Sequence, residues 1–139
     1  MISQRARYAI RAMFNIAPRT IPVSSSVISD EEAIPKKFLE AILVELKRAG
    51  FVSSSRGKNG GYILAQPASE ISFADVLRVV DGPLALAPCA SRTAYRRCED
   101  CKDVETCETR KALLRVRDAT AEILENRRFD QMRDEEDGT

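Results

Sequence analysis

Between residues 4 and 17 the apolar positions Ala9, Ala12, Met13, Ile16 and Ala17 recur at helical intervals, and Pro18 follows. That spacing predicts a helix with one buried face, stopped by the proline. In VSSSVISDEEAIP, Ser24 or Ser25 caps a short helix reaching about Asp30, of low intrinsic propensity because of its serine run. In IPKKFLEAILVELKRAG, Pro35 suits a first helical turn. Phe38, Leu39, Ile42, Leu43 and Leu46 form its buried stripe, and Gly50 supplies the C-cap. FVSSS and GYILAQP then read as two short strands around RGKNGG, where Asn59 and Gly60 tolerate positive φ and Gly57 and Gly61 relax the corners. Ser72 caps FADVLRVVDG, which ends at Gly82 and Pro83.

Beyond Pro83 the periodicity disappears, and it returns near Glu105. There Leu113, Val116, Thr120, Ile123 and Leu124 alternate spacings of three and four, the seam of a helix packed on a partner helix. The order is helix, helix, helix, hairpin, helix, loop, long helix. It describes a mainly α protein with a small β-hairpin wing. Residues 1–82 form a winged helix-turn-helix and 83–104 a cysteine-rich sensor loop; 105–128 form a long C-terminal dimerisation helix and 129–139 a frayed acidic tail.

Composition adds two constraints. At 139 residues and 44% hydrophobic, the chain is one domain able to bury a core without disulfides. The net charge of +1 hides an asymmetry: residues 1–66 carry 10 Lys and Arg against 5 Asp and Glu, residues 67–139 carry 12 against 16. A basic front half suits a polyanion, and the acidic back half has another job. No run approaches a membrane span, and Arg5, Arg7 and Arg11 interrupt the first apolar stretch, so a cytoplasmic protein is expected. There thiols stay reduced, and clustered cysteines bind metal or do redox chemistry more often than they form structural disulfides.

A helix-turn-helix places the start of its second helix against base edges in the major groove. Lys36 and Lys37 stand there, able to reach phosphate or guanine. Glu40, one turn on, accepts from the exocyclic amine of cytosine or pairs with a lysine on its own helix. Arg56, Lys58 and Asn59 occupy the wing tip, where a basic hairpin enters a minor groove or simply blunts a sheet edge. Arg5 and Arg7 are candidate phosphate contacts on the first helix.

All four cysteines lie in CASRTAYRRCEDCKDVETC, at Cys89, Cys98, Cys101 and Cys107, and the chain has no histidine. Three assignments compete. Four thiolates satisfy tetrahedral zinc, although only Cys98 and Cys101 have the usual close-pair spacing. The same pair suits a dithiol redox switch, with Arg96, Arg97 and Lys102 nearby. An iron–sulfur cluster also takes thiolates, and a loop of unequal spacings wraps a group larger than one ion.

The chain resembles the IscR-like winged-helix regulators, among them iron–sulfur biogenesis, nitric-oxide-sensing and rhizobial iron-responsive members. RARYAIRAM, IPKKFLEAILVELKRAGFVSSSRGKNGGYILAQP and ISFADVLRVVDG carry the likeness in order, followed by the cysteine loop and a terminal helix. The resemblance implies a homodimeric transcription regulator, usually a repressor, whose long helices cross. It also implies a cluster held by three cysteines, often with a non-cysteine fourth ligand. Cys101 and Cys107 match the last pair and Cys89 the first ligand, leaving Cys98 as fourth ligand or spare. Some members use histidine, which this chain lacks, and some have no cluster.

The expectation is a homodimeric regulator of double-stranded DNA with a near-palindromic operator, tuned by an iron–sulfur cluster or by thiol redox state. The alternatives are the same regulator using zinc or disulfides, or a small iron–sulfur electron carrier. With no histidine and no nucleotide-cradling motif, an enzyme is not expected.

Overall fold

A computed structural model of the chain describes residues 2–131. The first helix, α1 (Gln4–Ile16), is capped by the Ser3 hydroxyl, which accepts from the Ala6 amide. Ala6, Ala9, Ala12, Met13 and Ile16 are buried, and the three alanines let neighbouring helices approach closely. Helix α2 (Ser25–Glu32) starts at Ser24 and buries only Ile28. It is held instead by a polar clamp on α1. Asn15 Nδ2 donates to Glu32 at 2.9 Å, and Arg19 reaches both Asn15 and, at 2.5 Å, Glu31. Tertiary contacts thus replace the propensity its serines lack. The turn to the next helix passes through Ala33 in the left-handed conformation (φ 53°), and the Ser29 hydroxyl donates to the Ile34 carbonyl.

Helix α3 (Lys36–Arg48) buries Leu39, Ile42, Leu43 and Leu46. Phe38, expected in that stripe, is 62% exposed. It sits at the edge of the apolar face, about 90° from its centre at 100° per residue, so it clears the core. At the far end Gly50 (φ 82°) closes the helix. Its amide donates to the Lys47 carbonyl and that of Phe51 to Leu46, the paired bonds of a Schellman cap.

The wing is an antiparallel pair, β1 (Val52–Ser55) with β2 (Gly61–Leu64), in register Val52 to Leu64 and Ser55 to Gly61. Val23 extends it by exchanging backbone bonds with Tyr62 at 2.9 and 2.7 Å. That close approach needs Gly61: a Cβ there would lie 2.4 Å from the Val23 carbonyl oxygen. Positive φ falls at Gly57 and Gly61 rather than at Asn59 or Gly60, and Gly60 is required by crowding against the Ser55 carbonyl.

Helix α4 (Phe73–Val80) has a full capping box of Ser72 and Asp75. Asp81 at its end accepts from both the amide and the hydroxyl of Ser3, tying α4 to the start of α1. The cysteine segment has no long helix or strand, only a short 3₁₀ turn at Pro88–Ala90. Helix α5 (Glu108–Asn126) begins three residues later than the sequence suggests, because the Cys107 sulfur serves as its cap by accepting from the Arg110 amide.

After α5 the chain returns to the head. The Phe73 amide donates to the Arg127 carbonyl at 2.9 Å and the Phe129 amide to Ile71 at 3.3 Å. Phe129, placed by its sequence context in the acidic tail, is 3% exposed. Its ring stacks on Phe73 (centroids 4.9 Å) and meets Phe14 edge-on at 5.0 Å. One aromatic ring ahead of an acidic run gives no periodicity to read, and burial is decided by the partners across the chain. Residues 132–139, the rest of the expected tail, lie outside the described residues. Replacing Phe129 by Ala should cost about 3–5 kcal/mol in urea unfolding and loosen the end of α5; an unchanged midpoint would contradict this packing.

Candidate functional site

Lys36, Lys37 and Glu40 project into solvent from the first turns of α3, beside the turn that follows α2. Neither lysine has an ion-pair partner among the described residues. Glu40 does not pair with them: it accepts a long 3.5 Å bond from Ser25 at the start of α2. Arg56, Lys58 and Asn59 are exposed at the tip between β1 and β2. Arg7 is exposed on α1. Arg5 is differently placed. Its guanidinium forms a close ion pair with Glu45 on α3, whose other carboxylate oxygen is buried without a partner. Arg5 therefore ties α1 to α3.

Other residues join this surface that sequence reasoning passed over. Lys47 donates to the Ser54 hydroxyl at 2.6 Å, linking α3 to the wing strand, and Arg48 is exposed beside it. Both also complement the negative end of the α3 dipole, which hides any special role from a sequence reading. Val44, on the same side of α3 as Glu40, is exposed apolar surface, whereas exposed Phe38 faces away from Glu40.

The four thiols are gathered around one cavity of about 490 Å³, lined also by Asp100, Lys102, Asp103 and Arg110. Cys89 is buried, and the others are half-buried; all four are free. The Cys98 thiol donates to the Cys89 sulfur at 3.7 Å. That bond, then partial burial and the nearby Cys89, Asp100 and Cys101, raises the Cys98 pKa above its ordinary value. The Cys101 amide closes a turn onto the Cys98 carbonyl at 3.2 Å.

Two arginines of the loop are engaged elsewhere than at the sulfurs: Arg97 donates to the Cys101 and Lys102 carbonyls, and Arg92 pairs with Asp118 on α5. Arg117, then Arg92, hold the Asp118 carboxyl below the usual aspartate value, so this tether stays ionised at neutral pH. Arg110 and Arg117 donate to the Cys89 and Ala90 carbonyls at 3.1 and 3.0 Å. Seven residues apart, they share one face of α5, a spacing that could have revealed them.

Among the described residues no three potential ligands are gathered tightly enough for a single metal ion. Four sulfurs around a cavity of this size, with Lys102 and Arg110 on its wall balanced by Asp100 and Asp103, have the donor chemistry of an iron–sulfur group or of thiolate-bound zinc.

On α5, Val116 and Ile123 are 44% and 69% exposed, Leu113, Thr120 and Leu124 are half-buried, and Ala121 is buried. The residues named for a dimer seam thus leave apolar surface uncovered. No helix among the described residues is long and apolar enough to cross a membrane.

A helix-turn-helix with unpaired lysines at the head of its second helix and a basic wing defines a DNA-binding transcription regulator. Residues 2–135 match the family model described as Rrf2, iron-dependent transcriptional regulator, and the chain belongs to that family. An rrf2-like HTH-type transcriptional regulator of Rhodobacter capsulatus is 40% identical over 121 residues, covering 84% of this chain and 81% of the relative. Among solved structures, CymR, the global cysteine regulator of B. subtilis, superposes with a TM-score of 0.76 at 28% identity, covering 94% of this chain and 93% of the other. IscR of T. potens gives 0.74 at 26%, covering 94% and 83%. These similar proteins are regulators rather than enzymes.

The two kinds of cation separate experimentally. Lys36→Ala should lower the slope of log affinity against log salt by about 1 and leave the unfolding midpoint unchanged. Arg5→Ala should leave that slope alone and cost up to about 1 kcal/mol of stability. The reverse pattern in salt titrations and urea melts would refute this division.

Proposed function

We propose that the protein is a cytoplasmic, homodimeric repressor whose operator affinity is set by an iron–sulfur cluster held in the Cys89–Cys107 loop. The observation that carries this reading is the convergence of all four thiols on one cavity at the N-terminus of α5. Cys89, Cys101 and Cys107 are the ligands, with Cys98 as a fourth ligand or a spare. Held there, an iron–sulfur cluster supplies a link that responds to iron and redox state. Zinc bound by the same thiols is the alternative.

Lys36, Lys37, Arg7, Arg56 and Lys58 contact phosphate or base edges, and Glu40 reads a base. Leu113, Val116, Thr120, Ile123 and Leu124 pack α5 on its counterpart in a second copy. Two-fold symmetry then sets a near-palindromic operator with half-sites about one helical turn apart.

The loop is coupled to the reading head by its own residues. Arg110 and Arg117 grip the loop carbonyls, and Arg78 joins α4 to Glu125 on α5 at 2.7 Å. Ordering or releasing the loop shifts α5 and with it the spacing of the two reading heads. A coupling of about 1–3 kcal/mol changes operator occupancy roughly 5- to 150-fold.

Anaerobic purification with an absorption spectrum and metal analysis tests the cofactor. Cys89→Ala, Cys101→Ala and Cys107→Ala should each lose the visible bands, and Cys98→Ala decides whether that thiol is a ligand. A colourless protein with stoichiometric zinc would remove the cluster and leave the DNA reading intact. Selection from a random duplex pool tests that reading; no enrichment in any metallation state defeats it. In sedimentation, Ile123→Asp should yield monomers, since the side chain is exposed in the single chain. A persistent dimer would place the interface elsewhere.

A further inference from the structure

We propose that Cys89 and Cys98 form a peroxide-responsive dithiol: in the cluster-free protein, hydrogen peroxide closes them into an intramolecular disulfide that withdraws Cys89 from cluster assembly. The inference rests on the regulatory reading of the loop and names a chemistry for the thiol outside the three-ligand set.

Sequence spacing favours Cys98 and Cys101 as a redox pair, but the fold pairs Cys98 with Cys89. Their sulfurs are 3.7 Å apart, and this is the only sulfur–sulfur hydrogen bond among the described residues. Cys101 is joined to Cys98 through the backbone of a turn, and the Cys107 sulfur is occupied in capping α5. Cys89 is held on one side by Arg110, which grips its carbonyl. Cys98 lies in a segment without regular structure. A disulfide brings two sulfurs to about 2.0 Å, so an approach of under 2 Å or so suffices, and the irregular segment can supply it.

Cys98, the more exposed of the two, meets the oxidant and the buried Cys89 resolves it; because Cys89 and its surroundings hold the Cys98 thiol protonated, only its minor thiolate fraction reacts and the closure is slow. The Cys98 sulfur attacks the peroxide O–O bond, which breaks; the sulfur becomes a sulfenic acid, and the other oxygen leaves as water with the thiol proton. The Cys89 sulfur then attacks the sulfenic sulfur. The S–S bond forms, the S–O bond breaks, and a second water leaves. Two thiols are oxidised by two electrons and one hydrogen peroxide is reduced to two waters. Since Cys89 and Cys98 both line the cavity, the disulfide takes half of its thiols out of reach of iron.

Trypsin distinguishes the pairings. It cuts at Arg92, Arg96 and Arg97, so Cys89 and Cys98 fall on separate peptides, whereas Cys98 and Cys101 share one. The full-length protein, freed of metal under anaerobic conditions, is treated with one equivalent of hydrogen peroxide and digested without reductant. The expected result is a two-peptide species joining Cys89 to Cys98, and a fall from four free thiols to two. The crosslink should persist in Cys101→Ser and vanish in Cys98→Ser. Iron and sulfide loading should be lost after peroxide and restored by dithiothreitol.

A linkage within the Cys98–Cys101 peptide, an intermolecular product or survival of all four thiols would overturn the proposal. So would loss of the crosslink in Cys101→Ser, or loading that survives the peroxide. The regulatory reading fails separately: a protein that crosslinks as expected yet selects no DNA sequence refutes that reading alone. One that selects DNA and loads a cluster without ever crosslinking refutes the disulfide alone.

Discussion

The packing of Phe129 against Phe14 and Phe73 is the constraint on which the placement of the functional parts depends. The backbone bonds between Ile71–Phe73 and Arg127–Phe129 fix the end of α5 to the entry of α4. Because α5 is one continuous helix, fixing its last turn also fixes its first, where Cys107 caps it. The thiol cavity and the exposed side of α5 are thereby held relative to α1, and through α1 to α3. Without that anchor the polar tie from the long helix to the head would be the part-exposed Arg78–Glu125 pair, of small individual worth, since Asp118 pairs with Arg92 of the loop and with Arg117 on its own helix.

The head was largely legible in the sequence because its signals are local and agree with one another. The stripe Leu39, Ile42, Leu43 and Leu46, the Gly50 C-cap and the Ser72 cap each act within a few residues, and each is seen in the fold. Of the two apolar misreadings, one was local and one turned on distant partners. Phe38 has the right residue type but stands at the edge of the stripe. Phe129 has no apolar neighbours in sequence, yet finds two rings, one 56 and one 115 positions earlier in the chain. Arg5, a candidate phosphate contact, also has a partner that only the fold supplies, Glu45 on α3.

The site was legible in kind and not in pairing. Four cysteines without histidine point to thiolate chemistry, and the fold gathers all four around one cavity. Spacing could not foretell that Cys98 faces Cys89, nine residues away, instead of its near neighbour Cys101. A turn held by a backbone bond sets the direction of each sulfur, and sequence distance says little about that. Proximity in sequence also says little about the loop's arginines: Arg97 binds loop carbonyls and Arg92 binds Asp118.

Burial is unevenly distributed, and the proposed regulation would act where it is thinnest. The head has a continuous core running from Ala9 to Phe129, and rearranging it would forfeit the burial of many large side chains. Between residues 83 and 107 only Cys89, Ala90 and Ser91 are buried, so that segment can change its order at little cost. Its grip on α5 consists of a few hydrogen bonds from Arg92, Arg110 and Arg117, each worth on the order of 1 kcal/mol net. A switch built on that segment therefore works at the scale of those bonds. That would be enough for the proposed change in operator occupancy, and too little to threaten the core of the head.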